Sequence, residues 1–138
     1  MKALAKEYYK LANKFNNLAK ELNILSVDMG LDKSKIIMNT DIGGLGYGYE
    51  YGFSIMEKVI QEGNKGDEYL EFPLFSDAST ESLKTKEARS NDFSQSYGNV
   101  DDRAKIIELS ACAGIIAAGA NIIMINNPES ISILKGLV

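Results

Sequence analysis

Three short, nearly all-apolar runs, each followed by a stretch of helical periodicity, constrain this chain more than any other feature. They are Lys35-Ile36-Ile37-Met38-Asn39, Tyr69-Leu70-Glu71-Phe72-Pro73-Leu74-Phe75 and Asn121-Ile122-Ile123-Met124-Ile125. Strands buried on both faces read this way, and helices between them imply parallel pairing. The order is one long helix over residues 1–30, then strand–helix three times over residues 35–138. We expect an α/β fold in a single domain, 1–138. Three β/α units do not close a barrel; they leave open sheet edges and an uncovered interior, so such a chain wants a partner.

Leu4, Tyr8, Leu11, Phe15, Leu18, Leu22 and Leu25 recur at spacings of four and three, which draws one apolar stripe along the first helix. The stripe is expected to pack on a sheet or another helix, with a coiled-coil seam as the alternative. Gly30 is the expected stop. Residues 41–52 hold too many glycines for helix or strand, residues 53–60 resume a helical pattern, and Gly63 and Gly66 end it. Pro73 cannot donate to a ladder, so it belongs near the end of its strand or at a bulge. A short helix is expected over residues 81–89 and a longer one after Asp101 or Asp102 as cap. Gly119 stops that helix, and Pro128 opens the last.

Composition removes several functions. Hydrophobic residues make up 45% of the chain and charged residues 25%, the balance of a folded protein. Net charge is −4, with 15 basic and 19 acidic residues scattered, so there is no stripe to track nucleic-acid phosphates. The sequence has no histidine and one cysteine, Cys112, which argues against a metal site, an internal disulfide or an unaided hydrolase. Lysines interrupt the first apolar residues, unlike a signal peptide, which makes a cytoplasmic location the expectation. The uncharged run 109–125 is short and rich in alanine and glycine, and fits a buried helix and strand better than a membrane span.

The run Asp41-Ile42-Gly43-Gly44-Leu45-Gly46-Tyr47-Gly48-Tyr49-Glu50-Tyr51, followed by Phe53-Ser54-Ile55-Met56-Glu57, resembles the small (delta) barrel subunit of the corrinoid iron–sulfur protein, part of the CO dehydrogenase/acetyl-CoA synthase system. Phe72-Pro73, the segment ending Lys86-Glu87-Ala88, Tyr97-Gly98, Arg103 with Glu108, and Ala118-Gly119-Ala120-Asn121-Ile122 keep the same order. The chain departs from the family pattern at Asn126-Asn127-Pro128, where Arg-His-Pro or Met-His-Pro is usual. It departs again at Leu83 and Ile107, where tryptophan is common, and at Ala104, where the family has glycine. The resemblance covers residues 20–138 and implies the C-terminal half of a (β/α)₈ TIM barrel, about three β/α units behind a long amphipathic helix.

In such a barrel the loops after the strands gather at one face, where ligands bind. Asp41, Gly43, Gly44, Gly46, Tyr47, Tyr49, Asn126 and Asn127 occupy that position. The glycines can bring backbone N–H groups close to a bulky ligand, and tyrosines 47, 49 and 51 can lie flat on a macrocycle. Equally, the glycines can shape a turn while the tyrosines cap the core, and Asp41 can be a turn cap. Lys86, Glu87, Arg103 and Glu108 are expected to form structural ion pairs, Arg103 with Glu87 or Glu108. If buried, Glu108 needs a partner. Cys112 is expected to be an inert core thiol.

The resemblance implies a non-catalytic barrel subunit that contacts cobalamin carried by a large corrinoid iron–sulfur subunit, during methyl transfer in acetyl-CoA synthesis or cleavage. The cofactor would supply the chemistry, with no catalytic residue and no metal ligand from this chain. One alternative is a pterin-binding methyltransferase-like barrel. Another is a half-barrel assembly module that binds no small molecule and pairs with a missing N-terminal half or with itself as a homo-oligomer. Nucleic-acid and membrane partners are not expected.

Overall fold

The computed structural model describes residues 2–41 and 43–136. Helix α1 (Lys2–Asp28) is followed by strand β1 (Met38–Asn39), helix α2 (Tyr49–Gly63), strand β2 (Leu74–Ser76) and the short helices α3 (Ala78–Leu83) and α4 (Lys86–Arg89). Helix α5 (Val100–Ala118), strand β3 (Ile122–Ile123) and helix α6 (Pro128–Leu134) complete the chain. The three strands are parallel and lie in sequence order, β1-β2-β3. The expected α/β class with three β/α units holds, and no closed barrel forms among the described residues. Each strand is shorter than its apolar run, because regular pairing lasts only where neighbours align: Met38 with Leu74, Asn39 with Phe75, Phe75 with Ile122 and Ser76 with Ile123. Pro73 sits just before β2, where its carbonyl accepts the Met38 N–H at 2.9 Å. Asn121 extends the opposite edge, its side-chain oxygen accepting from the Leu74 N–H at 2.9 Å.

The pleat separates two faces. Met38, Leu74 and Ile123 point into a core built with Ile55, Met56 and Val59 of α2 and Ala111, Ile115 and Ala118 of α5. Asn39, Phe75 and Ile122 alternate to the other side, where Ile122 is exposed, as are the flanking Ile37 and Met124. All sheet-covering helices therefore lie on one side. A sheet of three strands about 5 Å apart is roughly as wide as one to two helices of ~10 Å diameter, so α2 and α5 suffice to cover it.

That geometry explains where α1 departs from expectation. Its main partner is α2. The inward face of α1 carries Ala12, Asn16, Ala19 and Asn23, of which all but Ala19 are buried, instead of the leucine stripe. Small side chains let the helices approach, and the Asn23 amide donates to the Tyr69 carbonyl at 2.8 Å and to the Met38 sulfur at 3.1 Å. Phe15, Leu18, Leu22 and Leu25 face outward; the side chains of Leu4 and Tyr8 lie outside the described residues.

Other boundaries follow local chemistry. Gly30 (φ 94°) ends α1, with the Leu31 N–H reaching the Ser26 carbonyl at 3.0 Å, and Gly119 (φ 102°) ends α5 as expected. Asn99 caps α5, accepting from the Asp102 N–H at 2.8 Å, so Asp101 and Asp102 fall in the first turn, where the helix dipole favours acids. The helix expected over residues 81–89 breaks at Thr85 into α3 and α4. Among the described residues no helix is long and apolar enough to cross a membrane.

Candidate functional site

The carboxyl ends of the three strands bring together segments far apart in sequence. After β1, the Asp41 carboxylate accepts from the Ser76 hydroxyl at 2.6 Å and from the Asp77 N–H, which ties the first loop to the end of β2. Asp77 in turn caps α3 by accepting from the Thr80 N–H at 3.2 Å. Asp41 is thus engaged in holding two loops together.

Glu108 anchors the third loop. Its side chain is fully buried and accepts from four neutral donors: the Ser79 hydroxyl, the Ser130 hydroxyl at 2.6 Å, the Asn126 N–H at 2.8 Å and the Asn127 N–H at 3.1 Å. Burial alone pushes its pKa up, but the two hydroxyls and two amides outweigh that, leaving it below the model-compound value of 4.5. The expected ion pair is corrected here. Dipoles from both ends of the chain's second half neutralise the carboxylate instead, because Asn126–Asn127 and α6 must pass within hydrogen-bond reach of α5.

Arg103 also forms no ion pair among the described residues. Its guanidinium donates to the carbonyls of Glu87 (3.0 Å), Gly98 (2.5 Å) and Ser90 (2.5 Å) and lies 5.1 Å from the Phe93 ring. Five fixed donors suit it to closing a loop by its backbone. Glu87 receives the Tyr47 hydroxyl at a long 3.4 Å, and Lys86 has no ionic partner among the described residues.

The glycine–tyrosine loop divides between shape and exposure. A Cβ on Gly43 would lie 2.2 Å from the Tyr47 carbonyl oxygen, and one on Gly44 would lie 2.6 Å from that of Glu81, so both glycines serve close backbone packing. Gly46 (φ 76°) makes a turn in open space. Tyr49 turns inward, donating its hydroxyl to the Ala111 carbonyl at 2.7 Å; burial, with smaller contributions from Cys112 and Asp41, pushes its pKa up to about 12. Tyr47 stays outside, 58% exposed. With Gly43, Gly44, Lys84, Lys86 and Arg89 it borders a shallow cleft of about 280 Å³. Asn126 lies apart from that cleft, its amide on Ser79 at 3.0 Å, and Asn127 caps α6 through the Glu129 N–H at 3.0 Å. Burial raises the Cys112 thiol to about 11, which keeps it protonated.

No protein-family model matches the chain. Curated proteins do. It is 31% identical over 119 residues to the acetyl-CoA decarbonylase/synthase complex subunit delta of Methanocaldococcus jannaschii, covering 86% of this chain and 29% of that protein. The subunit delta of Methanopyrus kandleri is 30% identical over 118 residues, with the same two shares of 86% and 29%. That of Archaeoglobus fulgidus is 29% identical over 109 residues, 76% of this chain and 24% of its own length. The chain is a relative of these delta subunits. It spans less than a third of their length, at 29% for the first two.

Sequence reasoning toward the delta resemblance singled out Asp41, Glu108 and the glycine loop, but missed Ser76, Ser79 and Ser130, the hydroxyls that hold them. A serine near a strand end carries no signal of its own. Glu108 carried one, being an acid set among apolar residues in the middle of α5.

Proposed function

We propose that this chain is a non-catalytic segment of a delta-type barrel, forming one wall against a corrinoid that a larger partner subunit carries during methyl transfer. The observation that carries the reading is the one-sided parallel sheet. Its strands run in sequence order with helices on one face only, and the other face presents Ile37, Ile122 and Met124 to whatever completes the cylinder. A doubly wound sheet would have helices on both faces. The similarity to delta subunits supports the same reading.

A cleft of about 280 Å³ lies below the ~300–1,000 Å³ of sites that enclose even drug-sized ligands. A corrinoid can therefore meet only an edge here, which fits a wall and not a container. A bound corrinoid supplies a cobalt that accepts and releases methyl groups. This chain's part is contact: the Tyr47 ring offers a flat face, Lys86 and Arg89 offer cationic donors to amide or phosphate oxygens at the rim, and the apolar sheet face excludes water.

The test is binding of the full chain to a corrinoid-loaded large subunit, read by interferometry and by the corrinoid absorbance. Expected are saturable binding, its loss in Ile122→Lys, and an absorbance change that Tyr47→Ser removes. Absence of binding up to about 100 µM, a range that would still detect weak complexes, would overturn the proposal.

A further inference from the structure

The outward face of α1 carries an apolar seam that nothing among the described residues covers. Leu11, Phe15, Leu18, Leu22, Leu25 and Met29 follow one another at spacings of four and three, a strict 3.5-residue period. All but Leu11 are exposed, Leu22 by 64% and Met29 by 87%. Helix α2 packs on α1, whose inward face carries Ala12, Asn16, Ala19 and Asn23. That face lies about a quarter turn around α1 from the seam at ~100° per residue, so α2 does not block it. A helix of a folded chain that spends its small and amide residues inward and its leucines outward has its apolar surface reserved for a partner.

We infer that this seam pairs with the seam of a second copy, α1 against α1 in antiparallel orientation. Self-complementary charge favours that occupant. Antiparallel seams centred on each other place Leu18 across from the partner's Leu22, Phe15 across from the partner's Leu25 and Leu11 across from the partner's Met29. In that register Lys14 borders the partner's Asp28, and two-fold symmetry repeats the pair. Both residues are exposed, and neither has an ionic partner among the described residues. Glu21 meets its own counterpart at the two-fold axis, one exposed and screened like-charged pair against two attractive ones. A parallel pair would instead set Lys14 against the partner's uncharged Ala19. The area is sufficient as well. Roughly 100 Å² of accessible surface on each of six residues gives on the order of 600 Å² per copy, so the two copies reach the ~1,200 Å² at which specific interfaces begin. The pairing is independent of the corrinoid-wall reading, since it uses α1 and leaves the open sheet face free.

Sedimentation velocity on the full chain from about 1 to 100 µM tests it, across the range where modest interfaces dissociate. Expected is a reversible monomer–dimer equilibrium that Leu18→Glu abolishes while circular dichroism and the melting temperature of the monomer hold. Lys14→Glu alone should raise the dimer Kd about tenfold, because two facing pairs turn from attractive to repulsive. Asp28→Lys should do the same, and Lys14→Glu combined with Asp28→Lys should restore the wild-type Kd. A monomer throughout the range, or a dimer indifferent to Leu18→Glu, overturns the proposal. A dimer that the combined charge swap fails to restore overturns its antiparallel register. Loss of corrinoid-partner binding in Ile122→Lys leaves this equilibrium unchanged if the two surfaces are separate.

Discussion

Glu108 shows what a single residue does at the strand ends. Its carboxylate accepts from two hydroxyls and two backbone N–H groups. Glu108→Ala removes that acceptor and strands the buried Ser79 and Ser130 hydroxyls, while the Asn126 N–H keeps the Ser79 hydroxyl oxygen at 3.2 Å, so a loss of about 2–4 kcal/mol is expected in urea unfolding. Because the folded pKa lies below 4.5, the group adds stability above that pH and loses it as pH falls through the folded value. The stability difference between wild type and Glu108→Gln should therefore be constant above about pH 5 and shrink below it. A difference that stays flat to pH 3 or so would show that the carboxylate is not preferentially ionised in the fold. Tyr49 offers a second test. Tyr49→Phe loses one hydrogen bond to the Ala111 carbonyl, about 1 kcal/mol. Gly114→Ala costs more, since its Cβ would lie 2.2 Å from the Tyr49 hydroxyl oxygen. Combining the two should cost less than their sum, and strict additivity would contradict the contact.

At the scale of elements, the α1–α2 contact inverts the usual worth of asparagine and leucine. Asn23→Ala leaves the Tyr69 carbonyl without its donor and should destabilise the monomer by about 1–2 kcal/mol. Leu22→Ala, one position along, should change the dilute monomer by no more than about 0.5 kcal/mol. Chemical denaturation at low micromolar concentration compares them, and the reverse order would mean that the stripe packs inward after all. The first loop is held by α3 in the same way. Gly44→Ala must push the Glu81 backbone aside, with an expected cost of about 1–3 kcal/mol. The helices themselves were readable, because an apolar period and terminal glycines are local signals: α1, α5 and the stops at Gly30 and Gly119 fall where the sequence puts them, while α2 starts four residues early, at Tyr49, inside the glycine run read as non-helical. The cap at Asn99 and the break at Thr85 were not, since several polar residues there could serve equally and only the surrounding packing selects one.

For the whole molecule, the α1 seam and the sheet face opposite the core both carry exposed apolar side chains among the described residues. Polar replacement on the sheet face, Ile37→Ser with Ile122→Ser and Met124→Ser, should leave stability nearly unchanged, within about 1 kcal/mol. It should also lower binding of the dye ANS. A large stability loss would instead mean that this face is buried within the chain. The sequence by itself determined the α/β class, the three parallel units and the kinship with delta subunits, because alternation, glycine placement and motif order are written in neighbouring residues. Tertiary structure alone decided which side of α1 packs, that Arg103 grips carbonyls, and that serines and amides hold Glu108 in place of a cation. Those outcomes depend on which groups arrive within about 3 Å of each other after the chain closes, a distance no spacing along the sequence encodes.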